Sequence, residues 1–260
     1  LASARRAVPS DLRAALAAGV DLKSEGAAAL ASSSPRLKLG TQTLAPLVPE
    51  PGKIICLGLN YADHAAEASM QLPPAPTLFP KFANCLVGHG APIVIPAVTE
   101  KVDYEGEMAA VIGQRTSRVS EAEALAAVAG YTIINDVSAR DLQMQTPQWM
   151  AGKAVDTFGP LGPGIVLADD LGDPQALRIS TRVNGETLQD DTTANMIFTV
   201  AKAVAFISSW CTLEPGDIIA TGTPAGVGFA RKPPIFLKAG DVVEVEIEGI
   251  GTLSNPVTAA

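Results

Sequence analysis

The chain has 260 residues, 47% of them hydrophobic, which is enough apolar content for a large single-core domain or a domain and a half. Charged residues make up 18% and the formal net charge is -8, a balance that argues against a nucleic-acid surface and gives no reason to expect binding to anionic membranes. No apolar run approaches the roughly 18 residues of a membrane span; Cys56, Cys85 and Cys211 form no CxxC pair, and with only His64 and His89 beside them they read as reduced thiols of a cytoplasmic protein rather than as a zinc site.

The chain opens on Leu1, which points to a trimmed start, and "LASARRAVPS" has no apolar signal-peptide core. Ser10 is placed as the N-cap of a short helix through "DLRAALAAG", with Gly19 as its stop. Residues 24–53 are rich in Ser, Pro and Gly with short apolar pieces between, so residues 1–48 read as a small, loosely built N-terminal subdomain and residues 49–260 as the main domain. From "KIICLGLNY" onward short β-like runs recur: "KIICLGL", "PIVIP", "EMAAVIG", "GYTIIND", "GIVLA", "LRISTRVNG", "DIIATG" and "VVEVEIEG". Pro and Gly turns separate them, the pattern of a mostly-β α+β chain with long connections. Two helices are expected to interrupt it. "SEAEALAAVAG" has Ser120 and Glu123 as a capping box and Gly130 as a stop. "NMIFTVAKAVAFISSW" carries a helical apolar stripe at Met196, Ile197, Val200, Val204 and Ile207.

Several stretches carry chemistry. In "NYADHAAE", His64 and Glu67 are three apart and share a face if the stretch is helical. A carboxylate beside an imidazole fixes its tautomer and raises its basicity, as a general base requires; an incidental surface pair is the alternative. In "VDYEGEMAAVIG", Asp103, Glu105 and Glu107 alternate, which places all three on one side of a strand that runs into the core. Such carboxylates repel one another, about 4 kcal/mol for two charges 4 Å apart at an effective dielectric of 20. They are tolerated on a solvated edge strand, or where a cation sits among them. "GYTIINDVSARDLQ" ends a buried strand in Asp136, with Arg140 and Gln143 spaced from it as on one side of a short helical turn. Carboxylates without a thiol or a convincing histidine make an oxygen site, suited to Mg²⁺ or Mn²⁺. In "AGKAVDTFGPLGPG", Lys153 sits in a Gly- and Pro-rich loop, either solvated or placed to neutralise an anionic substrate or an enolate. "IATGTPAGVG" lacks the GKS or GKT of a phosphate loop and reads as a tight loop passing close to a ligand, with the Thr221 or Thr223 hydroxyl available. His89, in "LVGHGAP", is assigned no role.

Taken in order, "KIICLGLNYADHAAE", "PTLFPKF", "VDYEGE", "GYTIINDVSARDLQ", "GKAVDTFGPLGP", "VNGE", "LEPGDIIATGTPAGVG" and "LKAGDVVEVEIEGIGTLSNPV" resemble the fumarylacetoacetate hydrolase family over about residues 49–258. The resemblance implies a mixed β-roll catalytic domain, a homodimer, and a divalent metal (Mg²⁺ or Mn²⁺, with Ca²⁺ as a further option) held by Glu105, Glu107 and Asp136. Asp103 falls outside that ligand set, and Gly106 is smaller than the family's usual residue. It also implies that His64 and Glu67 form the lid dyad of acylpyruvase-like members and that Arg140, Gln143, Lys153 and Thr223 contact a small anionic keto-acid substrate. The reaction expected on this basis is hydrolytic C–C cleavage of a 2,4-dioxo acid: His64, oriented by Glu67, activates water, and Lys153 stabilises the leaving enolate. Oxaloacetate decarboxylation, keto–enol or double-bond isomerisation of the 2-hydroxyhepta-2,4-diene-1,7-dioate type, hydrolysis of a diketo sugar acid, and a non-catalytic binding protein are the alternatives.

Overall fold

The runs "EMAAVIG" and "GYTIIND" form neighbouring central strands of a seven-stranded sheet. The computed structural model describes residues 11–33, 38, 42–68 and 70–260. Across the sheet the strands are Thr77–Lys81, Ile54–Gly58, Ile218–Ala220, Gly106–Ile112, Val128–Asn135, Gly159–Leu167 and Leu86–Val87. Gly106–Ile112 is antiparallel to both of its neighbours and every one of its residues is buried, so the alternative of a solvated edge strand does not apply. A strand covered on both faces needs no polar positions, which is why the run is apolar without alternation. Its two faces nevertheless feed different cores. Met108, Ala110 and Ile112 join a cluster shared with Ile179, Val245 and Leu253 of a second sheet, while Ala109 and Val111 join Ile54, Cys56 and Phe79 on the opposite side.

The second sheet has five strands in the order Glu186–Thr192, Arg178–Val183, Val242–Ile247, Gly251–Ala259 and Ile93–Ile95. It packs face to face on the first, the layered arrangement of a mixed β-roll. The sheets approach closely at Gly106, where a Cβ would lie 2.2 Å from Thr181 Oγ1 and 2.9 Å from Val245 Cγ1. That contact accounts for the small residue between two glutamates.

The helices shift from their expected limits for identifiable reasons. The capping box of Ser120 and Glu123 is present, but the helix covers only Glu121–Ala124 and continues as a tight turn over Leu125–Ala127. Gly130 does not stop it; it is paired inside the Val128–Asn135 strand, whose partners on both sides outweigh helix propensity. The apolar stripe at 196–207 becomes helical only from Val200 to Ser208. Thr199 caps it, and the Ile197 and Phe198 amides are taken by Asn60, which holds the stretch before the cap extended. Val200, Ala203, Val204 and Ile207 are its buried face.

At the N-terminal end, Asp11 caps the Leu12–Ala17 helix by accepting from the Ala14 amide at 2.8 Å, and Gly19 ends it at φ 65°. Ser10 lies outside the described residues. Leu12 and Leu16 pack against the Ile54 and Phe79 side of the main core. A second helix, Leu22–Ala31, runs into the Ser-, Pro- and Gly-rich stretch 24–53, for which no element was expected. Asp21 caps it and none of its residues is buried, so alanine content and not apolar period is what specifies it.

Candidate active site

The carboxylates come from the ends of the two central strands. The expected single strand from Asp103 to Glu107 is broken: Val102–Asp103 pairs with Ser138–Ala139 as a separate ladder, and the long strand begins at Gly106. Asp103 therefore belongs to another group of contacts. Glu105 and Glu107 flank Gly106, whose Cβ direction faces the second sheet, and they project to the other side. The Asp136 amide donates to the Glu105 carbonyl at 2.8 Å, and the Glu105 amide donates to the Asn135 side chain at 3.0 Å. This register brings one carboxylate oxygen each from Glu105, Glu107 and Asp136 to within 4.8 Å of one another, all three buried.

Cations surround the group unevenly. Lys153 Nζ lies 2.6 Å from Glu105 Oε2 and 2.7 Å from Asp136 Oδ2. Lys81 Nζ lies 2.7 Å from Asp136 Oδ1, and Arg140 Nη2 is 2.7 Å from Glu105 Oε1. Among the described residues no ion pair reaches Glu107, which accepts from the Gly222 amide at 2.7 Å. The titrations follow. Burial works against charge on Glu105, yet Lys153 and Arg140 outweigh it and hold the carboxyl well below its usual range. Burial, with the Asp136 and Glu105 charges added, pushes Glu107 well above its usual range. Burial also opposes charge on Lys153, but Asp136 and Glu105 keep it above the ordinary lysine range. With Arg140 shared with Asp103, two lysines face three carboxylates. One buried carboxylate is left uncompensated, in an all-oxygen donor set, which fits a hard divalent cation such as Mg²⁺ or Mn²⁺.

A cavity opens beside this group, and Glu105, Lys153, Arg140, Gln143, Thr223 and His64 all line it. The sequence-derived residues thus meet in one place. His64 and Glu67 lie on the Ala62–Glu67 helix, as expected, with Nδ1 2.8 Å from Glu67 Oε1. Glu67 in turn accepts from the Gly226 amide at 2.9 and 3.1 Å. A carboxylate only accepts, so Nδ1 is the donor to Glu67 and Nε2 is the ring nitrogen outside that bond. Arg140 and Gln143 share one short helix, Arg140–Gln143, and are bonded at 2.9 Å; Asp136 precedes that turn and is not part of it. Lys153 ends a four-residue helix, Met150–Lys153, and is buried, which corrects its reading as a loop lysine.

The loop 221–228 approaches side chains of the protein. The Thr221 hydroxyl donates to the Met108 carbonyl at 2.8 Å, and the Thr223 hydroxyl donates to the Gly106 carbonyl at 2.9 Å while accepting from Gln189. His89 accepts from the Ser254 amide at 3.2 Å, away from the carboxylates. Lys81 is the site residue that sequence reasoning missed. It stood inside a motif of the resemblance, and the available signal was a lysine ending a strand, which when buried demands an anion. It donates to Asp136, to the Val137 carbonyl at 3.3 Å and to the Lys153 carbonyl, using all three of its protons. The apolar wall was also unread: Phe79 and Trp149 meet edge to face at 5.5 Å, and the Lys153 ammonium lies 4.9 Å from the Phe79 ring centre.

The family model for the C-terminal domain of fumarylacetoacetate (FAA) hydrolase matches residues 53–258. The chain belongs to the fumarylacetoacetate hydrolase family. Among the relatives of this fumarylacetoacetate hydrolase family member, the mitochondrial oxaloacetate tautomerase Fahd2a of Rattus norvegicus is 44% identical over 252 residues, covering 96% of this chain and 80% of that protein. The fumarylacetoacetate hydrolase of the psychrophile Exiguobacterium antarcticum superposes with a TM-score of 0.83 at 42% identity, over 96% of this chain and 88% of that one. The 2-hydroxyhepta-2,4-diene-1,7-dioate isomerase of Mycobacterium marinum superposes with a TM-score of 0.72 at 43% identity, over 82% and 77%. The family thus contains enzymes named for tautomerisation and isomerisation as well as for hydrolysis. No helix among the described residues is long and apolar enough to cross a membrane. The expected cytoplasmic location has no counterpart in the name of the rat relative, which is mitochondrial.

Proposed function

We propose that this family member is a divalent-metal-dependent keto–enol tautomerase of short 2-oxo diacids of the oxaloacetate class. One observation carries the reading: a histidine held at Nδ1 by a carboxylate shares a single cavity with Glu105, one of the three buried carboxylates, and with Lys153, which pairs with it. The name of the rat relative supports the choice of substrate. Glu105, Glu107 and Asp136 would hold a divalent cation, which supplies Lewis-acid polarisation of the 2-oxo group. The protein's own groups account for the rest. His64 Nε2 takes the C3 proton, and Glu67 stabilises the imidazolium that results. Lys153 presents a fixed positive charge towards the developing enolate oxygen. Arg140 and Gln143 hold a substrate carboxylate. The enolate oxygen takes a proton from solvent, the His64 imidazolium gives its proton up to solvent, and the enol leaves; in reverse, the enol oxygen loses its proton to solvent and the protonated His64 delivers one to C3.

The second reading is the C–C hydrolysis of an acylpyruvate, in which the same His64 deprotonates water. The apolar wall of Phe79, Trp149 and Met144 favours it, since it offers room for an acyl group. The deciding experiment follows enol absorbance of oxaloacetate and cleavage of acetylpyruvate side by side, with Mg²⁺ and with EDTA. Metal-dependent acceleration of oxaloacetate tautomerisation above the Mg²⁺ buffer rate supports the proposal. Acetylpyruvate cleavage without tautomerisation replaces it with the second reading.

A further inference from the structure

Asp103 lies outside the ligand group, yet it is completely buried and accepts four hydrogen bonds. Oδ1 accepts from the Tyr104 amide at 2.9 Å and the Gly228 amide at 2.8 Å; Oδ2 accepts from the Phe229 amide at 3.0 Å and from Arg140 Nε at 2.9 Å. Four N–H groups converge on two oxygens. An amide in this place would offer one oxygen and turn an NH₂ towards donors, so the position demands a carboxylate. The same loop residue supplies a second restraint: the Arg140 guanidinium carbon lies 4.5 Å from the Phe229 ring centre. On the remaining side, Arg140 Nη1 donates to Gln143 Oε1 at 2.9 Å.

A planar guanidinium held at Nε, at Nη1 and over one face has no rotation left. Its remaining nitrogen, Nη2, forms an ion pair with Glu105 but no hydrogen bond. It is 2.7 Å from Glu105 Oε1, at ion-pair distance but off the N–H directions, and it has no hydrogen-bond acceptor although it is buried. Native proteins rarely leave such a donor orphaned. An acceptor brought from outside would satisfy it, and a carboxylate oxygen is the one that suits a guanidinium N–H.

We infer that Asp103, with Phe229, is a positioning residue: it sets the rotation of Arg140 so that Nη2 receives the second carboxylate of a diacid, and it thereby makes the cavity selective for dicarboxylates over monocarboxylates. The inference rests on the reading of the cavity as a 2-oxo diacid site. Neither residue needs to touch the substrate's reacting atoms. The chain before the long strand and the loop after residue 221 are joined at Asp103, which explains why the strand is broken there.

The test uses two ligands that chelate alike and cannot enolise, malate and lactate, which differ in the distal carboxylate. Their affinities are measured by calorimetry on the full chain with saturating Mg²⁺, alongside Mg²⁺ affinity itself, in wild type, Asp103→Asn and Phe229→Leu. Wild type should bind malate about tenfold or more tightly than lactate, the size of one charge-assisted hydrogen bond. Both variants should lose most of that preference while lactate and Mg²⁺ affinities hold. If Asp103→Asn does not fold, Phe229→Leu decides alone. A wild-type preference that persists in a folded variant overturns the inference and leaves the diacid reading standing. Equal loss of malate, lactate and Mg²⁺ also overturns it, because the role is then structural. A wild type that binds malate and lactate equally removes the diacid reading, and the inference with it.

Discussion

Glu107 is the residue on which the electrostatics of the site turn. It is buried beside two other carboxylates, no cation among the described residues pairs with it, and its carboxyl is pushed well above the ordinary 4.5. Between 4.5 and that raised value the metal-free folded chain holds a proton that the unfolded chain has released. Stability contributed there is full below 4.5, falls as pH climbs across the window, and is lost above it. Glu107→Gln removes this titration, so the variant should gain stability on wild type as pH rises in EDTA, read as the difference in denaturant midpoints at pH 5 and pH 8. The same variant should bind Mg²⁺ far more weakly. Lys153 behaves in the opposite sense. Lys153→Met leaves Glu105 and Asp136 less compensated, so the metal-free protein should lose about 3–5 kcal/mol. Mg²⁺ affinity should hold or improve, while kcat/KM falls by about 3 kcal/mol for a lost enolate partner. A variant that keeps its rate would mean that Lys153 serves only as a counter-ion. His64→Ala should lower turnover about 10²–10⁴-fold with Mg²⁺ affinity unchanged, because the imidazole bonds Glu67 and not the carboxylate group.

Elements matter here through what they hold at their ends. The two central strands deliver the carboxylates because both terminate at the same edge, and the loop from 221 to 231 fastens the remaining parts. Its Gly222 amide holds Glu107, its Gly226 amide holds Glu67, and its Gly228 and Phe229 amides hold Asp103. The Gly226 carbonyl accepts from Tyr104 Oη at 2.9 Å and from Arg231 Nε at 3.2 Å, so Gly226 is held at both its amide and its carbonyl. Gly226 has φ 104°, and a Cβ there would lie 2.2 Å from the Leu188 carbonyl oxygen. Gly226→Ala should therefore cost about 1–3 kcal/mol in strain. It should also release Glu67, giving a loss of kcat with little change in Mg²⁺ affinity. Thermal melts and metal titrations separate the two effects; a drop in metal affinity equal to the drop in kcat would show that the loop supports the carboxylates and not the dyad.

On the proposed reading, metal binding is coupled to the folding of the whole molecule. The carboxylate group is preformed by the register of two buried strands, and the unfolded chain has no such arrangement. A cation at about 100 times its Kd should then stabilise the fold by about 2.7 kcal/mol. For a chain near this size that corresponds to a Tm rise of about 5–10 °C for EDTA-treated protein given Mg²⁺. Glu107→Gln should lose most of that rise. A Tm indifferent to Mg²⁺ and Mn²⁺ would refute the metal assignment at the level of the intact protein.

The sequence by itself determined the parts governed by local periodicity and by residue type. The strand runs, the His64–Glu67 helix, the pairing of Glu105 with Glu107 on one side of a strand, and the ordered motifs of the family are all legible along the chain. Burial and pairing are not. Lys81 is 55 residues from Asp136, and Asp103 meets Gly228 across 125 residues, so neither contact leaves a trace in local spacing. Asp103 shows the limit most clearly. Alternation places it beside Glu105 and Glu107, but the break at Tyr104 and the amides of a distant loop turn it to Arg140. Alternation follows from backbone geometry that every strand shares. Which carboxylate faces a lysine, which an arginine and which only a backbone amide is decided when separate strand ends and loops are brought into one low-dielectric interior.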